Sequence, residues 1–281
     1  MRGENAKFAT APGLTWVGGG RAPEELDETS RKILAASSSG TSIFDPVLCE
    51  LMYSWFCPPG GAVLDPFAGG SVRGIVAAKL GRNYCGIDLR EEQIVANREQ
   101  AARICPGVEP TWVVGDGRNV AALAPGAYDF VFSCPPYADL ERYSEDPADL
   151  STMDYPQFLE AYRTIIAASV AMLKPDRFAC FVVGEVRGGK DGVYRGLVPD
   201  TIRAFEDAGA RFYNEAILVT AVGSLPIRAG KQFLASRKLG KTHQNVLVFV
   251  RGDPRKASAA CGPVEIFEPQ EAGVSLPADG G

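Results

Sequence analysis

The amino-acid sequence predicts an α/β fold, a doubly wound and mostly parallel sheet, on three observations. Short apolar runs alternate with segments in which apolar residues recur at helical spacing. Two glycines, Gly69 and Gly70, make a turn after the first run. Polar residues stand at or just after the ends of four runs: Asp65, Asp88, Asp116 and Cys134. Strands and helices that alternate in this way form a parallel sheet with helices on both faces.

Composition limits the possible classes of protein. The 281 residues are enough for one large α/β domain with additions or for two small domains. A net charge of −5 creates no global attraction to polyanions, so binding of nucleic acid needs a local basic surface. The seven cysteines are scattered and there is one histidine, so we expect no Cys/His zinc site and a reducing cytoplasm. No run has the length or pattern of a signal peptide or a membrane span.

The pattern divides the chain into three parts. Residues 1–40 are predicted to be an arm or a cap, with a possible helix over 23–36. Residues 41–252 form the main domain, with a basic insertion near 223–242, and residues 253–281 form a flexible tail rich in Pro, Gly and Ala.

The elements of the main domain follow from periodicity. Helical spacing of Val47, Leu48, Leu51, Met52 and Trp55 predicts a helix over 44–56. Strands are predicted over 62–64, 84–87, 111–114, 128–133 and 178–183. Helices are predicted over 72–80, 91–103, 155–173 and 197–208. Residues 216–222 and 245–250 have the pattern of a closing pair of strands.

The ends of the parallel strands are where a ligand is expected to bind. Gly69 and Gly70 allow a ligand to approach the backbone. Asp88 follows the glycine turn by about twenty residues, the spacing of a carboxylate that binds ribose hydroxyls. The pattern G-x-G-x-x-G is not met at residues 69–74, which favours a nucleoside without phosphates over a dinucleotide.

The fourth strand ends in Cys134-Pro135-Pro136-Tyr137. Neither proline can donate to a sheet, so rigid carbonyl acceptors lie beside an aromatic ring. Such a group can hold a planar molecule that carries an amino group; the alternative is a turn that closes a core strand. The acidic residues that follow, among them Asp139 and Glu141, are interpreted as a solvated loop.

Two motifs carry a family resemblance. Asp65-Pro66-Phe67-Ala68-Gly69-Gly70-Ser71 resembles the D-P-F-x-G-x-G cofactor motif of S-adenosylmethionine-dependent DNA amino-methyltransferases, and the stretch from Cys134 to Tyr137 resembles their [D/N/S]-P-P-[Y/F/W] catalytic motif. The resemblance implies a Rossmann-like methyltransferase fold with S-adenosylmethionine as cofactor. It also implies that Asp88 holds the ribose, that Asp116 reads the adenine amino group, and that residues 41–46 lie near the methionine part. The implied cofactor residues are Ser42, Phe44, Asp65, Phe67, Ala68, Gly69, Gly70, Asp88 and Asp116.

The chain departs from these motifs at two positions. Ser71 stands in place of the second family glycine, and Gly70 comes one position early. Cys134 stands where the family has Asp, Asn or Ser, and a thiol is a poor hydrogen-bond acceptor. The Pro135 carbonyl can still accept one hydrogen bond.

The resemblance implies methyl transfer to an exocyclic amino group of adenine or cytosine in DNA, with a flipped base stacked on Tyr137. The implied catalytic residues are Cys134, Pro135, Pro136 and Tyr137. Three alternatives stay open: alkylation of a pyrimidine ring carbon with Cys134 as nucleophile, amino-methylation of RNA, and a nucleic-acid-binding relative without catalysis.

Phosphate contacts are expected from the basic insertion, because they need Lys and Arg. Its candidate residues are Arg228, Lys231, Arg237, Lys238 and Lys241; the alternative is a solvated loop before an edge strand. For His243, a structural or DNA-contacting role is favoured over that of a general base. No membrane partner is expected, and the sequence leaves the oligomeric state open.

Overall fold

The computed structural model describes residues 44–137, 144–188, 191–219 and 225–264, with the backbone alone for 225–228. The predictions for the arm 1–40, Ser42, Asp139, Glu141, the Arg228 side chain and the end of the tail lie outside the described residues.

Seven strands form one sheet in the order β3-β2-β1-β4-β5-β7-β6. The strands are β1 Ala62–Asp65, β2 Asn83–Asp88, β3 Thr111–Val114, β4 Tyr128–Ser133, β5 Leu173–Val183, β6 Arg211–Val219 and β7 His243–Arg251. The first five are parallel, whereas β7 runs antiparallel between β5 and β6. The predicted doubly wound, mostly parallel sheet is therefore confirmed, with an antiparallel closing pair.

The described helices cover both faces of the sheet. They are α1 Pro46–Phe56, α2 Val72–Lys79, α3 Glu91–Ile104, α4 Val120–Leu123, α5 Tyr155–Met172, α6 Leu197–Asp207, α7 Leu225–Ser236 and α8 Pro254–Cys261. Two apolar clusters form, one on each face: α1, α2, α3 and α8 contribute to the first, and α4, α5 and α6 to the second. Alternation along β4 explains the division, because Phe130 and Phe132 join the first cluster and Val131 the second.

The helix predicted over 44–56 forms, but its buried face differs from the predicted one. Leu48, Cys49, Met52 and Tyr53 are buried, whereas Val47 and Trp55 are 62% and 41% exposed. The Tyr53 hydroxyl donates to the Arg73 carbonyl at 2.9 Å, so a tyrosine fills a core position that apolar spacing had given to other residues.

Three segments differ from the sequence prediction. Strand β5 starts at Leu173 and runs through Pro175, where a helix end and a loop were expected. The basic insertion contains a helix, α7, rather than a loop. The segment after Arg251 begins with α8, which buries Ala257 and Cys261 against the first cluster, so this part is not a loose tail.

Asp129 ties three strands together at the amino-terminal edge of the sheet. Its carboxylate accepts from the Ala62 amide at 3.0 Å, Lys174 Nζ at 2.8 Å and Arg177 Nε at 3.0 Å. Burial acts to raise the pKa of Asp129, but these hydrogen bonds lower it below its ordinary value. These contacts join β1, β4 and β5 at the amino-terminal edge of the sheet.

No helix among the described residues is both long and apolar enough to cross a membrane.

Candidate functional site

The chain changes direction across the sheet between β1 and β4, which are neighbours although β2 and β3 lie between them in sequence. Loops leave these two strands side by side at the carboxyl edge, which is the usual place for a ligand-binding crevice in such sheets. Here the Ser133 hydroxyl at the end of β4 donates to Asp65 Oδ1 at the end of β1, at 2.5 Å. The loop over residues 66–71 (the glycine loop) and the stretch over residues 134–137 (the proline stretch) therefore begin at one hydrogen-bonded point.

Asp65 is the centre of this point, and its side chain is fully buried. Its Oδ2 atom accepts from Arg73 Nε at 2.6 Å and from the Tyr84 hydroxyl at 2.7 Å. Its Oδ1 atom accepts from Ser133 and from the Phe67 amide at 3.2 Å. With both oxygens engaged in this way, Asp65 fixes the shape of the loop from the inside.

Arg73 completes the interior of the glycine loop. Its Nη2 atom donates to the carbonyls of Phe67 at 2.7 Å and Ala68 at 2.9 Å, and its guanidinium lies 4.7 Å from the centre of the Phe44 ring. Burial alone would lower the pKa of Arg73, but the Asp65 carboxylate raises it, so the guanidinium keeps its charge. The Phe67 and Ala68 carbonyls therefore accept hydrogen bonds from a buried charge.

The glycine loop is also held from β2 and α3. The Gly69 amide donates to Asp88 Oδ2 at 2.9 Å, and the Gly69 carbonyl accepts from Asn97 Nδ2 at 2.7 Å. Asp88 Oδ1 accepts from the Arg90 amide at 2.9 Å, and burial raises the pKa of this carboxyl. Asp88 thus orders the loop while keeping further lone pairs for a ligand.

Ser71 has a structural function in the place of a family glycine. Its hydroxyl donates to Gln100 Oε1 on α3, and its side chain is buried. The serine therefore anchors the start of α2 to α3.

The space around the loop agrees with a cofactor cradle. A Cβ atom added at Gly69 or Gly70 would meet no heavy atom within 4 Å, although Gly69, with a φ of +50°, has a second reason to be glycine. An added Cβ at Gly74 would lie 2.6 Å from Trp112, and one at Gly86 would lie 2.8 Å from Ala68. Gly74 and Gly86 serve packing, whereas open space next to Gly70 suits a bound molecule such as S-adenosylmethionine.

Asp116 lies after β3, where its side chain caps the turn Gly117–Asn119. Its Oδ1 atom accepts from the Arg118 amide at 2.8 Å, and its Oδ2 atom lies 2.6 Å from Arg118 Nη2. A carboxylate has about four lone-pair positions, so the pairing with Arg118 leaves acceptors for a ligand amino group.

The proline stretch passes directly above the end of β4. Pro135 is buried, and Cys134, Pro136 and Tyr137 are half-buried. The Cys134 Sγ atom lies 3.7 Å from the Tyr137 hydroxyl oxygen. Near this stretch, burial raises the pKa of the Cys49 thiol to about 12.

The predicted basic residues separate into two groups. Lys231 and Arg237 are exposed on α7 and at its end. Lys238 and Lys241 are half-buried: Lys238 Nζ lies against the backbone of Gly192, and Lys241 is near Glu185. Burial lowers the pKa of Lys241, and Glu185 opposes this.

The segment after β5 supplies two further basic residues that the sequence analysis missed. Arg187 pairs with Tyr194 across a bridge, with its guanidinium 3.7 Å from the centre of that ring. Arg195 lies 5.2 Å from the centre of the Tyr155 ring. We call Arg187, Arg195, Lys238 and Lys241 the basic rim.

Arg73 is the main omission of the sequence analysis for the glycine loop. A signal was present, because Arg73 is an arginine in a short helix whose other buried residues are Gly74, Ile75, Ala77 and Ala78. A charge at a buried helix position needs a partner, and Asp65 was the nearest carboxylate in sequence. The described residues contain no cluster of His, Cys, Asp and Glu that could hold a metal ion.

Comparison with known proteins agrees with these features. Residues 30–99 match the model of a family described as DNA methylase, a segment that contains the glycine loop and Asp88. The match confirms the family resemblance for that segment; the stretch from Cys134 to Tyr137 lies outside it.

A solved structure with a TM-score above 0.5 shows the likeness of the fold, and a second aligns more weakly. TrmN from Thermus thermophilus aligns with a TM-score of 0.52 and 16% identity over 79% of this chain and 53% of that one, so the chain spans about half of its length. Magnesium protoporphyrin IX methyltransferase from Synechocystis PCC 6803 with bound SAH aligns with a TM-score of 0.49 and 12% identity over 80% of this chain and 95% of that one.

Proposed function

We propose that this chain, an S-adenosylmethionine-dependent methyltransferase with a segment of the DNA methylase family, methylates an exocyclic amino group of adenine or cytosine in DNA. One observation carries the proposal. Ser133, at the start of the proline stretch, is hydrogen-bonded to Asp65, at the start of the glycine loop, so the two loops share one crevice. A crevice that holds a nucleoside cofactor on one side and a planar amino-bearing group on the other is what methyl transfer between them requires.

The glycine loop forms the cofactor side. When bound, S-adenosylmethionine supplies a methyl group on a positively charged sulfur. Asp88 would accept from ribose hydroxyls, and Asp116 would accept from the adenine amino group. Gly69 and Gly70 would let the backbone approach the cofactor. Asp65 is a positioning residue in this proposal, because its oxygens are already held by Arg73, Tyr84 and Ser133.

The proline stretch forms the base side. The Pro135 carbonyl would accept one hydrogen from the amino group of the base, and the Tyr137 ring would stack on the base after extrusion from the helix. Cys134 adds little as an acceptor, because thiols accept hydrogen bonds weakly. We therefore assign the orientation of the amino nitrogen to the Pro135 carbonyl and of the base plane to Tyr137.

The basic rim would bind the phosphates next to the extruded nucleotide. A Cβ atom added at Gly184, directly after β5, would lie 3.8 Å from the Tyr137 ring, and Glu185 and Arg187 follow Gly184 in sequence. Lys241 precedes Gln244, which contacts Tyr137. The rim is therefore close to the base side, which is the position at which phosphate contacts orient a nucleic acid.

A nucleoside assay tests the proposal. DNA and RNA free of methylated bases are incubated separately with the protein and S-adenosylmethionine, hydrolysed and analysed by mass spectrometry. We expect N6-methyladenine or N4-methylcytosine from DNA. Methylation of RNA alone, a methyl group on a pyrimidine ring carbon, or binding of nucleic acid without any methylation would each contradict the proposal.

Tyr137→Ala tests the stacking role in the same assay. Stacking on an aromatic side chain contributes about 1–3 kcal/mol per base, so methylation should fall roughly ten- to hundredfold while cofactor affinity is kept. Tyr213→Ala is the control, since Tyr213 is 43% exposed on β6. Equal activity of the wild type and Tyr137→Ala would remove the ring from the mechanism.

Cys134→Ser separates amino transfer from ring-carbon alkylation. A serine hydroxyl accepts a hydrogen bond better than a thiol but does not replace a thiolate nucleophile. We expect activity to be retained. Loss of activity, together with a covalent adduct between the wild type and a fluorinated pyrimidine in DNA, would establish the alternative.

A further inference from the structure

Tyr137 contacts Gln244, the second residue of β7, which is the last strand in the sequence. The Gln244 Nε2 atom on β7 donates to the Tyr137 hydroxyl, across 107 positions of the chain. On its other side, the hydroxyl oxygen lies 3.7 Å from Cys134 Sγ. The phenol is thus held from two sides by groups that belong to different parts of the chain.

The ring itself is packed against the end of β5. A Cβ atom added at Gly184 would lie 3.8 Å from Tyr137 Cζ, 3.9 Å from its hydroxyl oxygen and 4.0 Å from Gln244 Cγ. Because Gly184 has no side chain, the Tyr137 ring and the Gln244 side chain can lie next to each other here. Three loops or strand ends, those of β4, β5 and β7, meet at this tyrosine.

We infer that Gln244 is a positioning residue that holds the Tyr137 ring in place for base stacking. The inference rests on the proposed function, because it assigns a purpose to the ring. Rotation about χ1 would move the phenol oxygen, so the hydrogen bond from Gln244 restrains this torsion. Rotation about χ2 leaves that oxygen in place, and this second torsion is restrained by packing of the ring at the end of β5. Without the amide, the ring keeps its apolar face but samples orientations that do not match the base.

The contact also explains how an antiparallel strand takes part in the site. Asn245, one residue further, points its amide to Glu215 Oε1 on β6 at 2.6 Å. Successive side chains of a strand lie on opposite faces, so only one of these two amides can reach the proline stretch. Gln244 and Asn245 are a matched pair, because both carry an amide but the first bonds to Tyr137 and the second to Glu215.

A double-mutant cycle on the full chain tests the inference. Gln244→Met keeps the length of the side chain and removes the amide, and Tyr137→Phe keeps the ring and removes the hydroxyl. Each variant should lower kcat/KM for DNA by about tenfold at most, since one hydrogen bond contributes about 1 kcal/mol. The double variant should lose no more than either single variant, because both remove the same interaction.

Asn245→Ala is the control and should keep the wild-type kcat/KM. S-adenosylmethionine affinity by calorimetry should be unchanged in all variants, which a general structural role of Gln244 would not produce. Additive losses in the double variant, or Gln244→Met activity equal to that of Asn245→Ala, would overturn the inference and leave the proposed function intact. A wild type that methylates no nucleic acid would overturn both.

Discussion

At the scale of single residues, glycines at similar places in the sequence have different causes. Gly70 has open space beside it, and Gly74 faces Trp112 and Tyr84 at distances that exclude a Cβ atom. In the sequence the two glycines lie four residues apart, and nothing in the pattern distinguishes them. Only the structure separates a glycine kept for a ligand from a glycine kept for packing.

This difference predicts opposite behaviour of two variants. Gly70→Val should leave the free energy of unfolding nearly unchanged and abolish measurable S-adenosylmethionine binding, because its side chain enters the open space of the cradle. Gly74→Ala should lower the free energy of unfolding by about 1–3 kcal/mol, because the added methyl group overpacks the core. Urea denaturation and calorimetry measure both quantities. Unchanged cofactor affinity in Gly70→Val would place the cofactor elsewhere.

Residue positions were predictable from sequence where they depend on the neighbouring residues of the chain. Asp65, Asp88 and Asp116 were placed correctly at strand ends, because Pro66 follows Asp65, Gly115 precedes Asp116, and an apolar run ends at Asp88. The pairing of Asp65 with Ser133, 68 positions away, was not predictable, because it depends on which strands become neighbours. Cys134 departs from the family motif, and the activity of Cys134→Ser tests the consequence.

At the scale of elements, the two edges of the sheet have separate tasks. The carboxyl edge carries the crevice, and the amino-terminal edge is held by Asp129 with Lys174 and Arg177. Stability and ligand binding should therefore respond to different substitutions.

Asp129→Asn tests this separation. The variant should lose about 2 kcal/mol of unfolding free energy near neutral pH, because hydrogen bonds from charged groups are lost. Since the pKa of Asp129 is lowered in the folded state, its contribution is present above the unfolded value of about 4 and disappears as the pH falls through the folded pKa. The difference in stability between wild type and variant should therefore shrink in acid.

Asp207→Asn is the control, because Asp207 is exposed at the end of α6. Cofactor affinity should be the same in all three proteins. A constant difference between wild type and Asp129→Asn from neutral pH down to pH of about 2 would contradict the assignment of that energy to the ionised carboxylate.

Helices and strands were predicted best where their residues repeat a pattern over several turns. The bounds of β3 and β4 were correct, and α2, α3, α5 and α6 ended within one residue of the expected positions. Helix α8 was missed, because its residues are mostly small and charged and only Ala257 and Cys261 reach the core. In α1, Tyr53 replaced the expected apolar face because its hydroxyl finds a buried carbonyl.

At the scale of the whole molecule, the charge is unevenly distributed. The chain has a net charge of −5, yet the basic rim gathers four cations near the base side of the crevice. In the proposed function, this rim would contact phosphates locally, while the net negative charge of the rest of the protein would repel nucleic acid.

The salt dependence of DNA binding measures this arrangement. The double variant Lys238→Gln/Lys241→Gln should reduce the slope of log K against log salt concentration by about two, one for each lost phosphate contact. Lys256→Gln is the control, because Lys256 lies on α8, with its ammonium 4.0 Å from Asp176 at the amino-terminal edge. Equal slopes for the double variant and the wild type would remove these lysines from the interface.

The position of Gln244 on β7 determines when the proposed site becomes complete during synthesis of the protein. Translation proceeds from the amino terminus, so the glycine loop, Asp88 and Asp116 leave the ribosome well before Gln244 is added. Tyr137 is therefore synthesised 107 residues before the amide that contacts it. Because β7 also supplies Val246 and Val248 to one apolar cluster and Leu247 and Phe249 to the other, the proposed site for the base is completed only when the sheet itself is complete.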